Sequence, residues 1–352
     1  MKHRVLSLAA AAVAAVVVLA GCANSGSDSA DASGAALTLT KDVKLVVGTS
    51  DLEGAYFTKS GAFDDVPYTI DWSYISDWGS IYSSIASNAL NVGYWGLDAN
   101  IFNAIKNGVP AKIVELLGTN KTDSHTGALD VFVRTNAGIT TTKDLKGKTI
   151  ATGSEGTTFD NVLSAALADG GLTSHDVTIH RYPDSDSTSK INAFLNGDAQ
   201  VFAGSLQSKP ILDALEAGTI KVLYWQDQAL PIGRIVVSNA KTLADPRQDA
   251  ALKDFVARVA RTQVWANDPA NKQKWIDITT AATHLSADTA AKAYPYLQNS
   301  IGPLPFDTTT DTKLTGIIDK FVSFGLLDKS LKSSDVVDSR YSQSIAAAIG
   351  GS

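Results

Sequence analysis

The sequence predicts a two-lobed α/β fold followed by a helical tail. Three observations carry this prediction. Strand-like and helix-like runs alternate from residue 43 to about 237, as in parallel strands covered on both faces by helices. A strand, a small-residue turn and a helix recur in the same order 110 residues apart, with Ala104 aligned to Ala214. Beyond about residue 246 the alternation stops and amphipathic helices follow.

The elements read off in order. VKLVVG (43–48) is a buried-strand candidate, and YTIDW (68–72) alternates like a half-exposed strand. WGSIYSSIASNAL (78–90) places Ile81 and Ile85 at helical spacing. NVGYWGLDA (91–99) is a short strand that ends at Trp95 and Gly96, with Asp98 at the next helix start. ANIFNAIKNG is that helix, stopped by Gly108, and AKIVELLG and ALDVFVRT are strands. GKTIATG is a strand, and TTFDNVLSAALADGG is a helix closed by two glycines. DVTIHRY, AQVFAG and IKVLYW are strands separated by the helices TSKINAFLNG and SKPILDALEAG. In the tail, helices start at Pro246, at Pro269 and after Ser286, a good N-cap, and two more end the chain.

The repeated unit pairs NVGYWGLDA and its helix with QVFAGSLQS and its helix, so two similar lobes are expected. The period is too long for a solenoid. Two α/β units also resemble each other by chance, and the echo alone does not separate these readings.

Composition narrows the class. The chain has 352 residues, a formal net charge of −6 and 44% hydrophobic residues, enough for sizeable cores. It opens with a basic start (Lys2, Arg4), an apolar run from Val5 to Ala20, and LAGC ending at Cys22. The run is too short and small-residue-rich for a membrane span. The pattern resembles the bacterial lipobox, which implies removal of residues 1–21 and lipidation of Cys22. Removing 21 residues leaves 331, and losing Lys2 and Arg4 takes the charge to −8. An acidic surface argues against nucleic acid as partner. Cys22 is the only cysteine, so neither an internal disulfide nor a cysteine-metal site is expected. Residues 22–40 read as a flexible tether rich in Ser, Ala, Asp and Gly.

Three segments carry a family resemblance in combination. SIASNALNVGYWGLDANIFNAIKNGVPAKIV, VRTNAGITTTKDLKGKTIATGSEGTTFDNVLSAAL and AFLNGDAQVFAGS follow each other in the order and spacing seen in periplasmic solute-binding proteins of ABC importers. The chain resembles their aliphatic sulfonate, taurine and nitrate branch, the NMT1/THI5-like group. It departs from that group at Asn91, at Asp98 and in AGSLQSKP. The resemblance implies a type II periplasmic-binding-protein fold: two doubly wound lobes, a hinge of two crossing strands, and ligand closed between the lobes. Lobe 1 is expected over 41–133 plus 234–352 and lobe 2 over 134–233, with crossings near Val131–Thr135 and Pro231–Val236.

In open α/β sheets, ligands bind beyond the carboxyl ends of the strands, at helix N-termini. That rule picks four turns: GTSDLEG (48–54), YWGLD (94–98), TGSEGTTFD (152–160) and AGSLQSK (203–209). The candidate ligand-binding residues are Ser50, Asp51, Trp78, Trp95, Gly96, Asp98, Ser154, Thr157, Thr158 and Ser205. The third turn offers the best anion site, since small residues there supply free N–H groups and hydroxyls. It is no Walker loop, because no Lys follows its glycines. Core packing is the competing reading for Trp78 and Trp95, and helix capping for Thr157 and Thr158. Arg134 and Arg234 flank the crossings, where either can reach an acidic ligand or serve as a hinge pair.

Catalysis finds little support. His125, His175, His180 and His284 lack metal-ligand spacing, Asp64–Asp65 and Asp184–Asp186 sit in polar loops, and there is no G-x-S-x-G elbow. No metal or cofactor is expected. The expected function is capture of a small organic anion, sulfonate- or taurine-like, by a lipid-anchored, monomeric extracytoplasmic receptor. Its partners would be an ABC permease and a cytoplasmic ATPase. The alternatives are another small ligand (nitrate, a thiamine-precursor pyrimidine or an aromatic compound) or presentation to a sensor.

Overall fold

The computed structural model describes residues 38–350 apart from 76–78, 120–128, 184, 299 and 330. The expected signal peptide, Cys22, Trp78 and most of the tether lie outside the described residues. In chain order the elements are β1 (Lys44–Thr49), α1 (Asp51–Lys59), β2 (Thr69–Tyr74), α2 (Gly79–Ala86), β3 (Val92–Gly96), α3 (Ala99–Lys106), β4 (Ala111–Gly118) and β5 (Leu129–Arg134). Then come β6 (Thr149–Thr152), α4 (Thr158–Asp169), β7 (Thr178–Arg181), α5 (Ser187–Asn196), β8 (Val201–Ser205), α6 (Lys209–Glu216), β9 (Ile220–Tyr224) and α7 (Gln226–Ala229). The chain continues with β10 (Ile232–Asn239), α8 (Ala240–Ala244), α9 (Pro246–Asn267), α10 (Lys272–Thr283) and α11 (Ala287–Leu297). It ends with β11 (Gly302–Leu304), α12 (Thr308–Ser323), α13 (Ser333–Val336) and α14 (Ser342–Gly350).

Two sheets organise these elements. One has the order β11-β4-β10-β3-β1-β2 and the other β7-β6-β8-β5-β9. Without β11, both follow the same plan. Each sheet holds one of the two units echoed in the sequence (β3-α3-β4, β8-α6-β9), and in each the unit's two strands are separated by one inserted strand. β10 runs antiparallel between β3 and β4, and β5 runs antiparallel between β8 and β9. The alternation predicted parallel sheets. The inserted strands differ because each arrives from the other sheet and enters from the opposite end. β5 hydrogen-bonds only within the five-stranded sheet and β10 only within the six-stranded one. The chain therefore changes sheets between Gly118 and Leu129 and again between Tyr224 and Ile232. The tail also holds a strand, β11, which pairs with the edge strand β4.

The two connections touch. A β-carbon at Gly118 would lie 2.0 Å from the Pro231 carbonyl oxygen, so only glycine fits there. Thr119 N donates to the same oxygen at 3.0 Å. On the far side, Gln226 N donates to Asp130 Oδ1 at 2.9 Å and Leu129 N to Gln226 Oε1 at 3.2 Å. Asp130 is fully buried with Oδ2 lacking a partner, and burial pushes its carboxyl up to about 7.

Packing explains the aromatic pair that ends β3. Every residue of this strand is buried, because helices cover both faces. Tyr94 points to the layer of α9 and α1, where it meets Phe57 edge-on at 5.0 Å. Trp95 points to the opposite layer, with Ile81, Ile85 and Phe102. Its ring folds back over Gly93, where a β-carbon would lie 1.8 Å from it. Its Nε1 donates to Tyr82 Oη at 3.1 Å. The apolar layer of Trp95 continues without a break into the second sheet through Val131, Ile150 and Leu163.

Two stability expectations come from this packing. Trp95 is 1% exposed, so Trp95→Ala is expected to cost about 3–5 kcal/mol, as for other buried aromatics. Denaturant unfolding measures this, and an unchanged midpoint would place the ring outside the core. The Asp130 carboxyl titrates near 7 when folded and near 3.8 when unfolded. Stability is therefore lost as pH rises from about 4 to 7, by up to about 1.4 kcal/mol per pH unit. Asp130→Asn keeps the acceptor for Gln226 N and is expected to flatten that slope in thermal unfolding.

Candidate functional site

The four turns chosen from the sequence all lie where the two sheets face each other, and they meet in pairs. A β-carbon at Gly96, after β3, would lie 2.8 Å from Thr158 Oγ1 at the start of α4. One at Gly156 would lie 2.8 Å from Asn100 Oδ1 in α3. The turns after β1 and β8 meet around a cavity. Leu52, Glu53 and Tyr56 of α1 line it, with Gln207 beyond β8, Arg234 of β10, and side chains of the tail helices.

Four of the ten predicted residues, Ser50, Asp98, Thr157 and Ser205, serve the backbone of their own turn. Ser50 caps α1 and accepts from Glu53 N at 3.2 Å, while Asp51 is exposed. Asp98 caps α3, accepting from Asn100 N at 2.9 Å, Ile101 N at 3.2 Å and Tyr82 Oη. Ser205 Oγ accepts from Gln207 N at 3.0 Å. Thr157 Oγ1 donates to the Ser154 carbonyl at 2.7 Å. In the same turn, Asp160 accepts from Gly156 N at 2.9 Å and from Arg181 Nη1 at 2.6 Å. The protein's own carboxylate thus sits at the turn that looked best for an anion. Trp95 is core. Gly96 and Thr158 are the predicted pair that the fold brings face to face across the sheets. Asn91, a departure from the family pattern, lies at the opposite end of β3. Its side chain holds Val46 N and Thr242 there.

The cavity takes Leu52, Glu53 and Gln207 from two of the predicted turns and Arg234 from β10, but none of the ten predicted site residues, and apart from Tyr56 of α1 the rest of its wall comes from the tail. Its open space is only about 50 Å³, room for a few waters at most. Tyr56, Trp275 and Tyr294 form an aromatic wall. Tyr56 stacks on Trp275 at 5.9 Å, and Tyr294 meets Trp275 edge-on at 5.2 Å. Gln207, Gln263, Asn267 and Gln298 also line the cavity. Gln263 Nε2 donates to Tyr94 Oη at 3.1 Å, which links the cavity to the interior of the first sheet. Arg134 lies elsewhere, packed on Gly197.

Arg234 and Glu53 are the charged pair of this cavity, with 18% and 11% of their side chains exposed. Arg234 Nε stands 3.5 Å from Glu53 Oε1, beyond a good hydrogen bond. Burial pushes the Glu53 carboxyl up and Arg234 pulls it back, with a net upward direction. Desolvation therefore outweighs the attraction of this loose pair. Among the described residues, two buried donors on the cavity wall have no hydrogen-bond partner, Arg234 Nε and Tyr294 Oη. Glu115, in the neighbouring β4, is 2% exposed with both oxygens unpartnered, and burial holds its carboxyl well above the usual range. One sequence signal hides Glu53. Ser50-x-x-Glu53 has the form of a capping box, yet the Glu53 carboxylate turns to Arg234.

The fold recurs in proteins of known structure. The periplasmic aliphatic sulphonate binding protein SsuA of Escherichia coli superposes with a TM-score of 0.68 at 17% identity, covering 84% of this chain and 92% of that one. The alkanesulfonate-binding protein SsuA of Xanthomonas axonopodis pv. citri, bound to MOPS, gives 0.68 at 16%, covering 83% and 97%. The desulfurization enzyme DSZB gives 0.60 at 12%, covering 86% and 99%. These similarities establish a periplasmic-binding-protein fold, one that serves both binding proteins and an enzyme. No curated protein sequence matches the chain significantly. The NMT1/THI5-like family model matches residues 87–271, more than half of the chain and both echoed units, and the protein belongs to the NMT1/THI5-like family.

Proposed function

We propose that this protein is the extracytoplasmic substrate-binding component of an ABC importer. It captures a small organic anion, sulfonate- or taurine-like, between its lobes and delivers it to a membrane permease driven by a cytoplasmic ATPase. The observation that carries this reading is the pair of buried donors without a hydrogen-bond partner among the described residues, Arg234 Nε and Tyr294 Oη, on one cavity between the sheets. Buried donors are almost always satisfied, and an anionic oxygen satisfies both. The aromatic wall suits an apolar body on that anion. The names of two fold relatives, both sulfonate binders, support the ligand class. The lining includes neither cysteine nor histidine, which favours holding a ligand over transforming it. Cys22 in LAGC supports anchoring by lipid to the outer face of the cell membrane. We further propose that the protein works as a monomer, with lobe 1 and lobe 2 dividing before β10 and after β4 rather than at the expected Val131–Thr135, because β5 (Leu129–Arg134) already belongs to the five-stranded sheet.

Isothermal titration calorimetry against sulfonates, taurine, nitrate, pyrimidines and aromatic acids tests the reading. An organic anion is expected to bind, and the Arg234→Gln variant, folded by circular dichroism, is expected to bind it about thirtyfold or more weakly, as for truncation of a buried charged partner. No ligand tighter than about 100 μM across the panel, a level well short of ordinary receptor affinity, would overturn it. Tight binding of a neutral pyrimidine instead would favour a receptor for another class of ligand.

A further inference from the structure

We propose that Glu53 is a built-in stand-in for the ligand's anionic group, and that an organic monoanion binds by displacing the Glu53 carboxylate from Arg234, which leaves Glu53 protonated. The inference rests on the function proposed above and specifies how the same site admits its ligand.

Space comes first. About 50 Å³ of open cavity cannot take an organic anion, so a side chain must yield. The other polar contacts around the cavity are well made. Asn267 Nδ2 donates to the Ile301 carbonyl at 2.8 Å, Gln298 Nε2 to the Asn267 carbonyl at 3.1 Å, and Gln263 Nε2 to Tyr94 Oη at 3.1 Å. The Glu53–Arg234 contact, at 3.5 Å with Nε unbonded, is the loosest polar contact among them. The Glu53 carboxylate therefore yields most readily, and what it leaves is a guanidinium ready for another anion.

Charge balance follows. Paired, Glu53 and Arg234 sum to zero. An anion on Arg234 removes the one positive charge facing Glu53 and sets a negative charge beside it. The other titratable groups lining the cavity, among the described residues, are Tyr56 on Glu53's own helix and Tyr294 on α11, with Tyr94 on β3 interacting with both Glu53 and Glu115. Lys272 of α10 lies 5.4 Å over the Tyr294 ring but is not part of the lining, so no lining group supplies a positive charge in place of Arg234. With its carboxyl already raised by burial, Glu53 takes up a proton from solvent as the ligand binds. The ligand class is thereby narrowed to monoanions without an ammonium group, since an ammonium would pair with Glu53 and keep it ionised.

Calorimetry of the full chain with butanesulfonate, in two buffers of different ionisation enthalpy, tests this. A sulfonate stays ionised throughout, so any proton taken up goes to the protein. Uptake of about one proton per ligand is expected, with affinity falling about tenfold per pH unit above the carboxyl's own titration in the free protein. Glu53→Gln is expected to abolish the uptake, flatten the pH profile and bind more tightly than wild type at pH 8. Binding without proton uptake would overturn the exchange and leave the proposed function standing. So would loss of binding in a folded Glu53→Gln variant, or tighter binding of the amino-terminated analogue of the same length. Failure of the wild type to bind any organic anion would overturn both. The buffer-pair measurement uses the unmodified protein, so it holds whether or not the variant folds.

Discussion

The antiparallel insertion of one returning strand into each sheet is the constraint on which the rest of this structure depends. β10 separates β3 from β4, and β5 separates β8 from β9. An antiparallel strand begins where its parallel neighbours end. The first residues of β10 and β5 therefore lie at the carboxyl ends of β3 and β8, where α/β sheets bind ligands. Arg234 pairs with Gly96, and Asp130 with Gly204. The chain places a base at that edge of one sheet and an acid at that edge of the other. It also brings the two connections together where Gly118 meets Pro231, and there a side chain would clash.

The second theme is the use of internal carboxylates. Glu53 and Asp160 sit in the first turn, and Asp98 at the N-cap, of helices whose starts face the opposite sheet. A helix N-terminus favours a nearby negative charge by only about 0.3–1 kcal/mol when exposed and up to about 2 when partly buried. Burying a carboxylate costs several kcal/mol, so each needs further partners. Asp98 has two backbone N–H groups and Tyr82; Asp160 has Gly156 N and Arg181. Glu53 has only the long contact to Arg234, and burial raises its carboxyl. The difference between the three is hydrogen bonding, and it marks Glu53 as the group poised to change partners.

The alternation of strands and helices was legible because strands covered on both faces leave short, continuous apolar runs such as VKLVVG. The echo at 110 residues was legible too, and the matching strand orders give it a topological basis. Trp95 was misread for the same reason the strands were found. Period-two alternation separates Tyr94 from Trp95, but it cannot say that both faces of β3 are covered. Small-residue turns lie at the facing edges as expected, yet their hydroxyls and carboxylates bond the backbone of their own turns, and sequence does not separate that from ligand contact. The cavity itself was hidden. Arg234 matters only once β10 lies between β3 and β4, and Gln263, Trp275 and Tyr294 come from tail helices with no local signature of a site.

The apolar layer shared by the two sheets bears on how a ligand gets in. It runs from Trp95, Leu97 and Phe102 to Val131, Ile150 and Leu163 without interruption. Parting the sheets exposes some of it, at about 5 kcal/mol for each 200 Å² of apolar surface. That is comparable to the whole stability of many domains. Turning one carboxylate out of a poor ion pair costs far less, because the pair is already partly offset by desolvation. A site whose lobes share a core is therefore opened more cheaply by a side chain than by a wide gape.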